Sequence, residues 1–215
     1  SSEPKALLAS PKVSRDMDLQ GLDAYFAYGY IPAPLSIYRS IRKLPAGHVM
    51  KIRRSDSSIR KYWDLYFRPE RGKPESYFAG KFEEIFSEAV KMRLISEVPL
   101  GAFLSGGIDS GLVVAYMAEA MNDRLHTFSV GFSGNVGGYL DERPYARMVA
   151  ERYRCEHREL LLEPRVETIL DDIVESFDEP FADDSVIPSY YICETSSRDL
   201  TVALTGLGGD ELFAG

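Results

Sequence analysis

The stretch PLGAFLSGGIDSGLVVAYM, Pro99 to Met117, decides the fold. Its apolar run ends at Ser105-Gly106-Gly107, and beyond that point Leu112, Val113, Tyr116 and Met117 recur at helical spacing. The pattern predicts a strand, a tight glycine turn and the start of a helix. Such a junction exposes unpaired backbone N–H groups at the positive end of a helix dipole and readily holds a phosphate. It nevertheless carries a carboxylate, Asp109, where an anion should sit.

Outward from this stretch the same alternation continues. LHTFSVGF is followed by a glycine-rich loop and a helical pattern over Asp141 to Tyr153, and HRELLLE by a helix around Val166 to Phe177. A further helix around Pro188 to Ser197 leads into LTVALT. Near-continuous apolar strands alternating with helices predict an α/β fold, a parallel sheet covered by helices on both faces, with ligands bound beyond the carboxyl ends of the strands. Upstream, Ser76 to Ile95 reads as an amphipathic helix. The first 70 residues differ: a short aromatic-rich helix over Asp18 to Tyr30, then two short strands in LPAGHVMKIRRSDSSIRKYWDL around a polar Arg-Ser-Asp-Ser-Ser turn. They read as a β-rich remnant of another domain, joined by the connector RPERGKPES. The expected division is therefore residues 1–70 and residues 71–215. The pattern breaks off as a helix should begin after Asp210, so the chain is expected to be a fragment of a longer one.

Two strand ends share one chemistry. After VPLGAFL comes SGGIDS, and after LTVALT comes GLGGDE; each offers glycines that admit a ligand to the backbone, then an acid. A carboxylate and a phosphate repel unless a cation lies between them. Mg²⁺ takes one or two carboxylates together with phosphate oxygens, which makes Asp109 and Asp210 the candidate metal ligands. Asp and Ser also cap helices, so either loop alone has a purely structural reading. No Lys follows the glycines in a G-K-[ST] pattern and no G-x-G-x-x-G opens a helix, which disfavours Walker-type and dinucleotide loops. A loop made for pyrophosphate favours attack at the α-phosphorus.

Bulk properties narrow the class further. The 215 residues are 45% hydrophobic and 27% charged, enough for a sizeable core. The formal net charge of −8 argues against a broad nucleic-acid or anionic-membrane surface. No apolar run approaches the roughly 20 residues that span a bilayer, and the start lacks a signal-peptide pattern, so a soluble cytoplasmic protein is expected. Cys155 and Cys193 form no disulfide framework, and Cys155-Glu156-His157 lacks a second ligand pair for zinc. His48, His126 and His157 are scattered, and each reads as structural by default.

SGGIDS resembles the pyrophosphate loop of ATP pyrophosphatases. Together with HTFSVGF, DERPYARMVAE, FDEPFADDSVIPSYYIC and LTGLGGDELFAG it resembles the synthetase domain of the glutamine-hydrolysing asparagine synthetases, of adenine nucleotide alpha hydrolase-like fold. YFAYGYIPAPLSIYRSIRKLPAGHVMKI and KYWDL resemble the segment that closes the family's glutaminase domain. The resemblance implies a two-step reaction. A substrate carboxylate, aspartate by default, attacks ATP to give an acyl-adenylate and Mg-pyrophosphate; ammonia from glutamine then displaces AMP to form an amide. It implies that Ser105, Gly106, Gly107, Asp109 and Ser110 hold pyrophosphate, that Asp109 and Asp210 hold Mg²⁺, that Leu104 and Val130 flank adenine, and that Thr205 and Gly206 contact the nucleotide through backbone. Glutamine would enter through a glutaminase portion absent here, and a homodimer is one arrangement the resemblance allows.

Two departures stand out. Where the family's second loop carries an acid suited to managing protons during amidation, this chain has Leu207. Where the aspartate-using enzymes are expected to place a basic residue, it has Asp183 and Asp184, which read equally as helix caps. Two alternatives therefore stay open: a related synthetase using another amine, and a nucleotide-binding subunit without catalysis.

Overall fold

The computed structural model describes residues 1–54, 56–133, 141–163 and 166–213. The glycine-rich loop expected between LHTFSVGF and the helical pattern from Asp141 falls largely on 134–140, outside the described residues. Contacts divide the chain into two units, residues 1–70 with 166–186, and residues 71–165 with 187–215.

The first unit opens with α1 (Pro4–Leu8), which the sequence pattern did not announce, and α2 (Leu19–Tyr28). Asp18 caps α2 by accepting from the Gln20 N–H at 3.0 Å, and Gly29, in the left-handed region, ends it. An antiparallel hairpin follows, β1 (His48–Arg53) and β2 (Asp56–Lys61), paired from His48 with Lys61 to Arg53 with Asp56. Its turn is tighter than the five polar residues expected: Asp56, Ser57 and Ser58 lie inside β2, and Arg54 takes the positive φ that two-residue hairpin turns favour.

The second unit begins with α3 (Glu75–Arg93) and continues through β3 (Leu100–Phe103), α4 (Ile108–Ala120), β4 (His126–Phe132), α5 (Arg143–Arg152) and β5 (Glu156–Leu162). Next in the chain, α6 (Val166–Ser176) falls with the first unit. The second resumes through α7 (Val186–Ser196), β6 (Val202–Leu204) and α8 (Gly209–Phe213). The four strands form a parallel sheet in the order β5-β4-β3-β6, as the alternation predicted. Leu100, Ala102 and Leu104 point to the face covered by α4 and α5, where Val113, Val114, Met117, Ala146 and Ala150 close the core. Gly101 points the other way. A Cβ there would lie 2.6 Å from the His126 carbonyl oxygen and 2.5 Å from Leu200, which follows α7 and lies against this second face.

The order matters for the site. From β3 the chain steps outward to β4 and β5 on one side, then returns to place β6 on the other side of β3. The reversal between β3 and β6 is the topological switch point, where parallel sheets leave a crevice beyond the strand ends. Among the described residues no helix is long and apolar enough to cross a membrane.

Candidate active site

The loop after β3 is built on two serines. The Leu104 N–H still pairs in sheet fashion, donating to the Phe128 carbonyl at 2.8 Å. One residue later the Ser105 N–H donates to Ser110 Oγ at 3.2 Å, and the two hydroxyls lie 2.9 Å apart. Ser105 Oγ also accepts from the Gly107 N–H at 3.3 Å, and Ser110 Oγ donates to the Gly107 carbonyl at 3.3 Å. These bonds tie the loop to the first turn of α4. Gly106 needs its missing side chain twice over: its φ is +99°, and a Cβ would lie 2.6 Å from the Glu142 carbonyl oxygen.

The loop after β6 meets this turn because β6 is the neighbour of β3. A Cβ on Gly206 would stand 2.5 Å from the Ser110 backbone nitrogen, so the two loops touch backbone to backbone. A Cβ on Gly209 would overlap the Asp109 carboxylate. Only glycine at positions 206 and 209 lets the second loop lie this close.

A cavity of about 610 Å³ opens between the two loops, and Ser105, Gly107, Asp109, Ser110, Thr205, Gly206 and Asp210 all line it. Asp109 and Asp210, 101 residues apart in the chain, thus face one space. Glu142, at the N-terminus of α5, lines it too, as do Phe103, Ile108, Leu207 and Phe213. Leu207 and Ile108 belong to the two loops already singled out in the sequence, whereas Glu142, Phe103 and Phe213 gave no sign there, because their place depends on which strand ends are neighbours. Glu142 had a signal only in hindsight, as the helix start after the strand next to β3. Leu104, Gly106 and Val130 stand outside the lining. Leu104 is 1% exposed and its side chain belongs to the core beneath the loop, so it presents no free face to a ligand. Val130 lies on β4 opposite Leu160 of β5.

The donors suit a hard cation. Two carboxylates and two serine hydroxyls are oxygen ligands, and among the described residues no group of three or more His, Cys, Asp or Glu forms a closed metal cage. Mg²⁺ needs no such cage when phosphate oxygens and waters complete its octahedron. Asp183 of FDEPFADDS does local work instead: just before α7 its carboxylate bonds the Ser185 side chain and accepts from the Ser185 N–H at 2.9 Å, and these bonds, the side-chain one foremost, hold it below the usual range.

The chain is similar to known proteins. Residues 81–215 match the family described as asparagine synthase, and residues 1–63 match the glutamine amidotransferase domain. A provisionally named glutamine-hydrolyzing asparagine synthetase 2 of Methanocaldococcus jannaschii is 38% identical over 222 residues, covering 100% of this chain and 42% of its own length. Glutamine-hydrolyzing asparagine synthetase 1 of Bacillus subtilis is 31% identical over 216 residues, covering 100% of this chain and 33% of its own. The chain therefore spans a third to two fifths of the length of these relatives. In structure it is similar to an NH3-dependent NAD synthetase from Campylobacter jejuni, with a TM-score of 0.42 at 15% identity, covering 62% of this chain and 58% of that one. With the family match spanning more than half of its residues, the chain belongs to the asparagine synthase family.

Proposed function

We propose that this chain carries the ATP-activating part of a glutamine-dependent amide-forming enzyme. In this reading residues 1–70 are the tail of a glutaminase domain and residues 71–215 open the synthetase domain. One observation carries it. The two glycine-acid loops pack so closely that Gly209 abuts the Asp109 carboxylate, and both acids line a single cavity. A phosphate chain seated at the N-terminus of α4 would meet the backbone N–H groups of that helix's first turn, held in place by the bonds through which Ser105 and Ser110 tie the loop to the helix. Asp109 and Asp210 would hold Mg²⁺, which when bound neutralises charge on the phosphates. Preset N–H donors at the leaving pyrophosphate favour attack of a substrate carboxylate at the α-phosphorus, giving an acyl-adenylate that ammonia then converts to an amide. Thr205 and Gly206 would meet the nucleotide through backbone; Val130 and the backbone of Leu104 would border the adenine. Aspartate is the default acceptor and the cytoplasm the default compartment, and a homodimer is one arrangement the family resemblance allows.

ATP–pyrophosphate exchange by the full-length protein tests the reading. Exchange that requires both Mg²⁺ and one carboxylate from a panel headed by aspartate supports it. Tight MgATP binding without exchange across the panel would favour the rival, a nucleotide-binding subunit. Leu207 is what keeps that rival in view, since it is 85% exposed at the cavity mouth where the resemblance implies an acid.

A further inference from the structure

A second cavity, of about 650 Å³, lies between α5 and the edge strand β5 and shares no lining residue with the first. Arg124, Arg147, Arg154, Cys155, His157 and Glu159 line it, with Ala150 and Glu151 of α5. Arg147 is committed to Glu159 through two parallel bonds of 2.9 and 2.8 Å. The guanidiniums of Arg124 and Arg154 have no ion-pair or hydrogen-bond partner among the described residues. In a chain of net charge −8, two unpaired guanidiniums in one concavity run against the overall balance.

The walls are fixed. The His157 ring is clamped from both nitrogens, with Thr127 Oγ1 at 2.9 Å from Nδ1 and Ser129 Oγ at 3.2 Å from Nε2. Thr127 and Ser129 are themselves buried, so this wall moves only with the sheet. Arg154 has a φ of +54°, a left-handed conformation that Gly or Asn adopts more readily at the end of a helix. An arginine is thus kept where backbone alone would favour glycine, at the rim of a cavity whose size suits a small molecule.

We propose that this cavity binds a small metabolite through its phosphate or carboxylate group, held by the guanidiniums of Arg124 and Arg154. Both anions match the planar guanidinium fork, so the chemistry is shared and the experiment separates the sources. Cys155, half-buried in the wall, reports occupancy, and exposed Cys193 serves as the internal reference.

The test is alkylation of the full-length protein with iodoacetamide, followed by peptide mass spectrometry, in rising inorganic phosphate, rising succinate, or sodium chloride at matched ionic strength. Phosphate or succinate is expected to slow Cys155 labelling while leaving Cys193 unchanged, by about tenfold once the anion reaches ten times its Kd. The anion that protects identifies the source. Arg124→Gln and Arg154→Gly are each expected to weaken the protection, and glycine suits the left-handed backbone, so the second variant keeps its fold. Wild-type protein in which neither anion protects Cys155, or in which chloride protects equally, overturns the proposal. So does protection that persists undiminished in both variants.

Discussion

At the scale of single residues, the close approach of the two loops makes specific demands. Asp109→Asn removes a charge from the cavity but fills the same space against Gly209. Pyrophosphate exchange is expected to fall by about a hundredfold or more, in line with loss of one preset electrostatic group, while the melting temperature stays near that of the wild type. Gly206→Ala acts differently. Its Cβ would meet the Ser110 backbone nitrogen at 2.5 Å, so the loops must separate, and a rise in KM for ATP is expected beside the fall in exchange. Leu207 separates the two chemical steps. A leucine accepts no proton, so Leu207→Glu is expected to raise amide formation relative to AMP formation; an unchanged ratio, measured by separate assays of the two products, would remove any special role for this position.

At the scale of elements, α4 joins site to core. Its first turn carries Asp109 and Ser110, and its next turns bury Val113, Val114 and Met117 against the sheet. Phe86 of α3 lies edge-on to Tyr116 at 5.2 Å, adding an aromatic contact on the outer side of the helix. Met117 is fully buried, and Met117→Ala is expected to cost about 2–5 kcal/mol in urea denaturation, most of it from the cavity left behind. Most of these elements were legible in the sequence because hydrophobic period and punctuation agree, as in the strand, turn and helix of PLGAFLSGGIDSGLVVAYM. The exceptions are local. Five-residue α1 is too short to show a period, and α7 begins at Val186, ahead of Pro188, because proline is tolerated in the first turn where no helical N–H bond is lost.

At the scale of the whole molecule, folding is linked to pH through His157. Burial, the largest influence, pushes its imidazole below the ordinary value of 6.5; neighbouring Glu159 pulls it up and Arg147 pushes it down. The unfolded chain therefore takes up a proton at a pH where the folded one does not. Stability is expected to be fully present above about pH 6.5 and to be lost as the pH falls from there toward the folded value. Urea midpoints between pH 7.5 and pH 5 check this, and the slope is expected to flatten in His157→Gln. His157 read as merely structural in sequence, since nothing along the chain brings Thr127 and Ser129 to its ring. That contact exists because β4 and β5 pair in parallel with Thr127 opposite His157.

By itself the sequence determined the alternation of strands and helices, the two glycine-acid loops and the family, because these depend on local period and on residues adjacent in the chain. Only the tertiary structure decided that the two loops touch, that Glu142 joins them, that Leu104 turns into the core, and that a second arginine-lined cavity forms elsewhere. The meeting of the two loops follows from the strand order β5-β4-β3-β6. Which strand ends become neighbours is set by long-range packing of the whole sheet, and no local stretch of sequence encodes it.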